Sequence, residues 1–231
     1  MNISQLAKSA RDKIQLGVYK VIDPAVKLMA RLGITPNVIT TVGFVGNLLA
    51  TALFVYAAIW MPDDDYSMVG LAGWVIILAS LFDMVDGYLA RTSGQCTTFG
   101  AFYDSVLDRY CELFTLGGIA FYFMANTFYM PALVTLFSLI GSIMVSYVRA
   151  RAEGLGVECK VGLMQRPERV VLTSLGAILC GLLADSVEEY FCPLWLLLAP
   201  QILIAILANW TACVRILHVY KKIGKEEETG R

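Results

Sequence analysis

The sequence is poor in charged residues and contains a single histidine, His218. Asp, Glu, Lys and Arg make up 16% of its 231 residues, hydrophobic residues make up 58%, and the net charge is −1. The mean hydropathy is +0.65, and a soluble protein of this composition would carry more apolar surface than one core could bury. The near-neutral charge argues against nucleic-acid binding, and six scattered cysteines without a CxxC pair argue against a disulfide scaffold. These absences indicate a membrane protein.

Six apolar segments approach the length of about 20 residues that a membrane-spanning helix requires. They cover approximately Val38–Trp60, Met68–Ala90, Phe99–Met124, Met130–Val148, Val170–Ala184 and Phe191–Val214. The fifth is the shortest and needs residues upstream of Val170 to complete its span. We therefore expect an all-α integral membrane domain of six transmembrane helices over residues 35–219, followed by a cytoplasmic tail over residues 220–231.

The charges predict the orientation of these spans. Every Lys and Arg falls at segment ends or loops on one side, whereas the opposite loops carry only the acidic residues Asp63, Asp64, Asp65, Asp185, Glu188 and Glu189. By the positive-inside rule, both termini are cytoplasmic. In residues 1–34 apolar side chains recur at helical spacing, which favours an amphipathic helix on the cytoplasmic leaflet over an ordinary tail.

Four aspartates lie near the cytoplasmic ends of the second and third segments. Asp83 and Asp86 share one helix face, as do Asp104 and Asp108, and a short connection makes the two helices antiparallel neighbours. Arg91 and Arg109 are too few to neutralise these carboxylates and Glu112 as well, so helix capping is the weaker interpretation. Mg²⁺ or Mn²⁺, bound through oxygen as two ions, would relieve the repulsion and could clamp a phosphoryl group.

Small residues interrupt this acidic pattern and leave room for a ligand. The complete pattern is Asp83-x2-Asp86-Gly87-x2-Ala90-Arg91-x8-Gly100-x3-Asp104-x3-Asp108. It resembles the signature of the CDP-alcohol phosphotransferases, six-span membrane enzymes that transfer a phosphatidyl or similar group from a CDP-linked donor to an alcohol and release CMP. The resemblance implies that Asp83, Asp86 and Asp104 ligate the metals, with Asp108 as ligand and general base. It also implies a homodimer in a prokaryotic-type inner membrane, with a cytoplasmic active site.

The same resemblance indicates which residues contact the CDP donor. Gly87, Arg91 and Thr97 match positions at which family members do so, and the small residues Ala90 and Gly100 complete this set. The run Thr35-Pro36-Asn37-Val38 at the start of the first span matches as well, and its proline suits a helix start.

A second basic cluster predicts the acceptor site. Its arginines lie between the fourth and fifth spans and at the end of the sixth: Arg149, Arg151, Arg166, Arg169 and Arg215. Contact with lipid phosphates is the alternative, but the planar guanidinium is suited to a phosphate dianion. This region resembles the phosphatidylinositol phosphate synthase branch, which joins CDP-diacylglycerol to inositol phosphate. Arg149 and Gln165 stand where that branch carries lysine and glutamate.

Other functions are compatible with parts of this pattern. Glycerol 3-phosphate would also require an arginine cluster, whereas free inositol would leave the cluster without a role. A divalent-cation transporter would use acidic residues within spans. However, all four aspartates lie toward one side of the membrane, and no acidic residue continues a route across it. The enzyme is therefore the favoured interpretation.

Overall fold

The computed structural model describes residues 22–62, 64–187 and 189–228, and all regular secondary structure within them is helical. A first helix, α1, covers residues 22–31. The six longer helices are α2 (Pro36–Trp60), α3 (Ser67–Ser93), α4 (Thr98–Ala125), α5 (Tyr129–Gly154), α6 (Arg166–Val187) and α7 (Leu194–Glu228). The all-helical class predicted from the sequence is confirmed.

Each of the six predicted segments corresponds to one of the helices α2 to α7. Within the described residues, α2, α3, α5, α6 and α7 are long and apolar enough to cross a membrane. The 28 residues of α4 are also sufficient in length, but this helix carries Asp104, Asp108, Arg109 and Glu112, which lower its apolar character. The chain is therefore a multi-pass membrane protein with at least five candidate spans.

Several helices extend beyond the apolar segments into charged sequence. Helix α5 continues to Gly154, so Arg149 and Arg151 lie on its last turns rather than in a loop. Helix α6 begins at Arg166, which supplies the upstream residues that the short fifth segment required. Helix α7 continues to Glu228, through most of the predicted tail. Of the predicted amphipathic segment, residues 1–21 lie outside the described residues.

The chain divides into two compact units, and the described part of the first consists of residues 22–43 and 79–107. Its core contains Val26 of α1, Ile39 of α2 and Leu89 of α3, each no more than 4% exposed. Tyr88 donates a hydrogen bond of 2.8 Å to Asp23. Lys27 and then Tyr88, through their hydrogen bonds, hold the pKa of the Asp23 carboxyl below its usual range. These contacts join α1 to the part of α3 that carries the acidic motif.

The second unit comprises residues 44–78 and 108–231, apart from positions that the structure does not describe. Phe54, Phe123 and Leu197 are fully buried in its main apolar core. Helices α3 and α6 cross where Gly70 and Gly181 meet, since a Cβ atom on Gly181 would lie 2.5 Å from Cα of Gly70. Close approach at small residues is typical of helix packing in membranes.

Candidate active site

The first unit contains three of the four predicted metal-binding aspartates. Asp83 and Asp86 lie on the C-terminal part of α3, and Asp104 lies in the second turn of α4. Asp86 is only 5% exposed, and it accepts a hydrogen bond of 2.5 Å from the Thr40 hydroxyl. Helix α2 also passes close to Asp83, because a Cβ atom on Gly43 would lie 3.3 Å from Oδ1 of that carboxylate.

These three carboxylates repel one another electrostatically. Asp104 and Asp83 both act on Asp86 through their negative charges. Across the described part of the chain, no three His, Cys, Asp or Glu side chains already form a metal-binding group. The donors are nevertheless all carboxylate oxygens, the ligand type that Mg²⁺ and Mn²⁺ prefer. Mutual repulsion around a buried carboxylate fits a site for divalent cations.

Three of the predicted donor-binding residues come together at the start of α4. The backbone N–H of Gly100 donates a 2.9 Å hydrogen bond to the Thr97 hydroxyl. A Cβ atom on Gly100 would lie 2.9 Å from this hydroxyl and 3.2 Å from Oδ1 of Asn37. Gly100 therefore permits the close approach of two polar groups that could bind a ligand.

The other predicted donor residues lie at the ends of α2 and α3. Pro36 is the first residue of α2, the position that its fixed φ suits, and Thr35 immediately precedes it. Val38 is 53% exposed. On α3, a Cβ atom on Gly87 would lie 3.6 Å from the Arg91 guanidinium, and Ala90 is half-buried. A Cβ atom at position 87 would therefore make an ordinary van der Waals contact with that guanidinium.

The second unit contains a cavity of about 200 Å³ between helices α4, α5, α6 and α7. Four of the five predicted acceptor-binding arginines line it together with the predicted general base: Arg149, Arg166, Arg169, Arg215 and Asp108. Although 66 residues separate Arg149 from Arg215 in the sequence, helices α5, α6 and α7 bring them to one cavity. This accumulation of positive charge can bind a dianion such as a phosphate group.

Two ion pairs join α4 to α6 along the cavity wall. Nη1 of Arg166 lies 2.7 Å from Oδ1 of Asp108, and these side chains are 22% and 18% exposed. Nη2 of Arg169 lies 2.6 Å from Oε1 of Glu112, and these side chains are 3% and 6% exposed. The first pair is therefore accessible from the cavity, whereas the second is almost completely buried.

Arg215 is also buried, at 3% exposure. Its Nε donates a 2.8 Å hydrogen bond to the carbonyl of Val161, and its Nη1 donates a 2.6 Å hydrogen bond to the carbonyl of Val145. These bonds fix the guanidinium of α7 between α5 and the α5–α6 loop. A preorganised guanidinium loses little conformational entropy when it binds a ligand.

Arg149 and Arg151 differ in their environments. Arg149 lines the cavity and forms a 2.9 Å ion pair with Glu153, one turn further along α5. Arg151 is exposed and does not line the cavity. The two residues are separated by about 200° around the helix, so they cannot face the same cavity.

The sequence analysis assigned no site role to several residues that lie at these sites. Thr40 contacts Asp86, and Ser146, Gln165, Arg109 and Glu112 line the cavity. Glu112 follows Asp108 by one helical turn, and this spacing could have identified it. Thr40 gave no comparable signal, because a threonine in an apolar span more often bonds to its own helix.

The comparisons with known proteins identify the family. The sequence profile of the CDP-alcohol phosphatidyltransferases matches residues 33–217. The phosphatidylinositol phosphate synthase of Cutibacterium acnes is 30% identical over 183 residues, which cover 78% of this chain and 84% of that protein. The archaetidylinositol phosphate synthase of Methanothermobacter thermautotrophicus is 32% identical over 207 residues, covering 89% and 92%.

The fold is similar to that of a phosphatidylinositol phosphate synthase from Mycobacterium tuberculosis. With CDP-diacylglycerol bound, that protein gives a TM-score of 0.72 at 26% identity, covering 87% of this chain and 94% of the other. A structure in complex with manganese and citrate gives a TM-score of 0.71, also at 26% identity, covering 85% and 88%. The chain is an enzyme of the CDP-alcohol phosphatidyltransferase family.

Proposed function

We propose that this enzyme transfers a phosphatidyl group from CDP-diacylglycerol to inositol phosphate, giving phosphatidylinositol phosphate and CMP. The observation that carries this assignment is the arginine-lined cavity, because a neutral acceptor would not require it. Relatives whose names specify the same product support the acceptor. The relative with CDP-diacylglycerol bound supports the donor.

The donor is assigned to the residues of the acidic motif and the helix ends beside it. We assign divalent cations, Mg²⁺ or Mn²⁺ in two positions, to Asp83, Asp86, Asp104 and Asp108, the last on the strength of the sequence pattern. When bound, such cations neutralise charge on the diphosphate and on the departing CMP. The remaining donor contacts are assigned to the predicted set: Thr35, Pro36, Asn37, Val38, Gly87, Ala90, Arg91, Thr97 and Gly100.

In the proposed reaction, an acceptor hydroxyl attacks the phosphorus that carries the diacylglycerol. The bond between this phosphorus and the bridging diphosphate oxygen breaks, and CMP departs with that oxygen. Asp108 accepts the hydroxyl proton. Nη1 of Arg166 is paired with Asp108, and the other N–H groups of that guanidinium are assigned to the acceptor phosphate. Arg149 and Arg215 bind the same phosphate. Arg151, which lies outside the cavity, attracts the acceptor only at long range through its charge.

We also propose that α4 is a sixth membrane span, with its charged residues toward the cytoplasmic side. This gives an even number of spans and agrees with the location of every Lys and Arg on one side of the membrane. Both termini and the active site are then cytoplasmic, in a prokaryotic-type inner membrane. An amphipathic helix within residues 1–34 and a homodimer complete the predicted arrangement.

An alternative donor carries an archaetidyl group in place of the phosphatidyl group. Archaetidylinositol phosphate synthases of Methanothermobacter thermautotrophicus and Pyrococcus horikoshii are 32% and 35% identical to this chain. These names differ from those of the bacterial relatives in the lipid, while the inositol phosphate is common to both. The residues around the cavity are therefore assigned to the acceptor, and the assay below compares the two lipid donors.

A direct test uses the full chain purified in detergent. CMP release is measured with CDP-diacylglycerol or its archaetidyl counterpart, Mg²⁺, and one acceptor at a time: inositol phosphate, glycerol 3-phosphate or free inositol. We expect turnover with inositol phosphate to exceed that with the other two. Turnover with glycerol 3-phosphate alone would overturn the acceptor assignment. CMP release without any ion gradient would exclude the transporter.

A further inference from the structure

The two ion pairs between α4 and α6 lie one helical turn apart. Asp108 and Glu112 are spaced i,i+4 on α4, while Arg166 and Arg169 are spaced i,i+3 on α6. Each spacing places both residues on one face of a helix. All four residues line the cavity.

At the beginning of α6, the guanidinium of the buried pair contacts two acceptors, the Glu112 carboxylate and the carbonyl of Met164. Nε of Arg169 donates a 2.7 Å hydrogen bond to Oε1 of Glu112, and its Nη2 lies 2.6 Å from the same oxygen. Its Nη1 donates a 3.1 Å bond to the carbonyl of Met164, just before α6 begins. One guanidinium thus connects α4 to the segment that leads into Arg166.

We infer that Glu112 and Arg169 are positioning residues for the acceptor site, on the basis of the proposed function. Their buried ion pair sets the first turn of α6 against α4, so that Arg166 lies beside Asp108 in the wall of the cavity. This revises the prediction that Arg169 binds the acceptor phosphate. The Glu112 carboxylate already neutralises its charge, and Nε and Nη1 each donate a hydrogen bond to a protein acceptor. Nη2 lies 2.6 Å from Oε1 of Glu112 but forms no hydrogen bond there.

A role in positioning also explains why these helices are joined by charges. Replacing a buried ion pair with apolar residues of similar volume often leaves stability unchanged or increases it. Apolar contacts are non-directional, however, whereas the planar guanidinium fixes both distance and orientation. The pair therefore contributes a defined geometry that apolar packing between α4 and α6 would not supply.

The test compares Glu112→Gln, Arg169→Lys and the double variant Glu112→Leu/Arg169→Met. Acceptor KM, donor KM, melting temperature and the affinity for inorganic phosphate, by calorimetry without donor, are measured on the full chain in detergent. Each single variant should raise acceptor KM about tenfold or more and weaken phosphate binding, with donor KM nearly unchanged. The double variant should recover the melting temperature but retain the high acceptor KM.

The control is Glu158→Gln, which removes an exposed carboxylate that pairs with Lys160 at 2.8 Å. It should leave every measured value as in the wild type. If Arg169 binds phosphate directly, Glu112→Gln will free the guanidinium from its ion pair and lower acceptor KM. If the pair only supports the fold, the double variant will regain the wild-type KM. Either result overturns the inference.

A failure of the proposed function gives a different result. In that case the wild type itself shows no turnover with inositol phosphate. The effect of Glu112→Gln on the binding of inorganic phosphate then still decides the positioning role. Weakened phosphate binding supports it, and unchanged or tighter binding refutes it.

Discussion

Replacement of Arg166 by glutamine should affect acceptor recognition far more than it affects the fold. Arg166 lies 2.7 Å from Asp108, and both side chains are about one-fifth exposed. Ion pairs that water can reach contribute at most about 1 kcal/mol to stability. The Glu112–Arg169 pair remains in the variant and continues to hold α6. The melting temperature should therefore stay close to that of the wild type.

The effect on catalysis should be larger, because a phosphate dianion would lose a guanidinium partner. A hydrogen bond to a charged group contributes about 1.5–3 kcal/mol. At about 1.4 kcal/mol for each factor of ten, the loss corresponds to a roughly 10- to 150-fold decrease in kcat/KM for inositol phosphate. Free inositol carries no phosphate, so any slow turnover of that acceptor should change much less.

The assay is CMP release under varied acceptor at saturating donor. Lys160→Gln is the matched control, since it removes one positive charge from an ion pair whose lysine is 66% exposed. This control should retain wild-type kinetics. A fall in melting temperature with an unchanged kcat/KM for inositol phosphate would refute the assignment and make Arg166 purely structural.

Further predictions concern the donor side. Gly100→Ala should raise the KM for CDP-diacylglycerol, because the new Cβ would crowd Asn37 at 3.2 Å, and acceptor KM should not change. Thr40→Val should lower kcat, because Asp86 loses its 2.5 Å hydrogen bond; Thr40→Ser, which retains the hydroxyl, should restore it. Chelation of divalent cations should abolish both CMP release and donor binding measured by calorimetry, and added Mg²⁺ or Mn²⁺ should restore both. Donor binding that survives chelation would contradict the cation assignment.

Hydropathy predicted the helices well, because each span must satisfy its own backbone hydrogen bonds in lipid. Its boundaries were less accurate where helices continue into charged sequence. Helix α5 continues beyond its apolar segment to Gly154 and so includes Arg149, and α7 extends to Glu228. In such turns, i,i+4 ion pairs such as that between Arg149 and Glu153 support the helix, and hydropathy does not register them.

The partners of the aspartates could not be predicted in the same way. Spacing identifies residues that share a helix face, and it led to the prediction that Arg91 and Arg109 are too few to neutralise the acidic cluster. Spacing gives no information on which distant helix supplies the other positively charged side chains. The partner of Glu112 is Arg169, 57 residues away, and it is brought close by the packing of α6 against α4.

The same limit explains why the arginines appeared equivalent in the sequence. A guanidinium that binds a ligand must direct N–H groups to the cavity, while one that organises the protein directs most of them to protein acceptors. Arg166, partly exposed and paired with a candidate base, meets the first condition. Arg169, buried against Glu112, meets the second. Both conditions depend on burial and on the identity of the partner, which tertiary packing determines. Mutational effects at these two positions should therefore differ in kind, with Arg166 acting on the acceptor directly and Arg169 acting through Arg166.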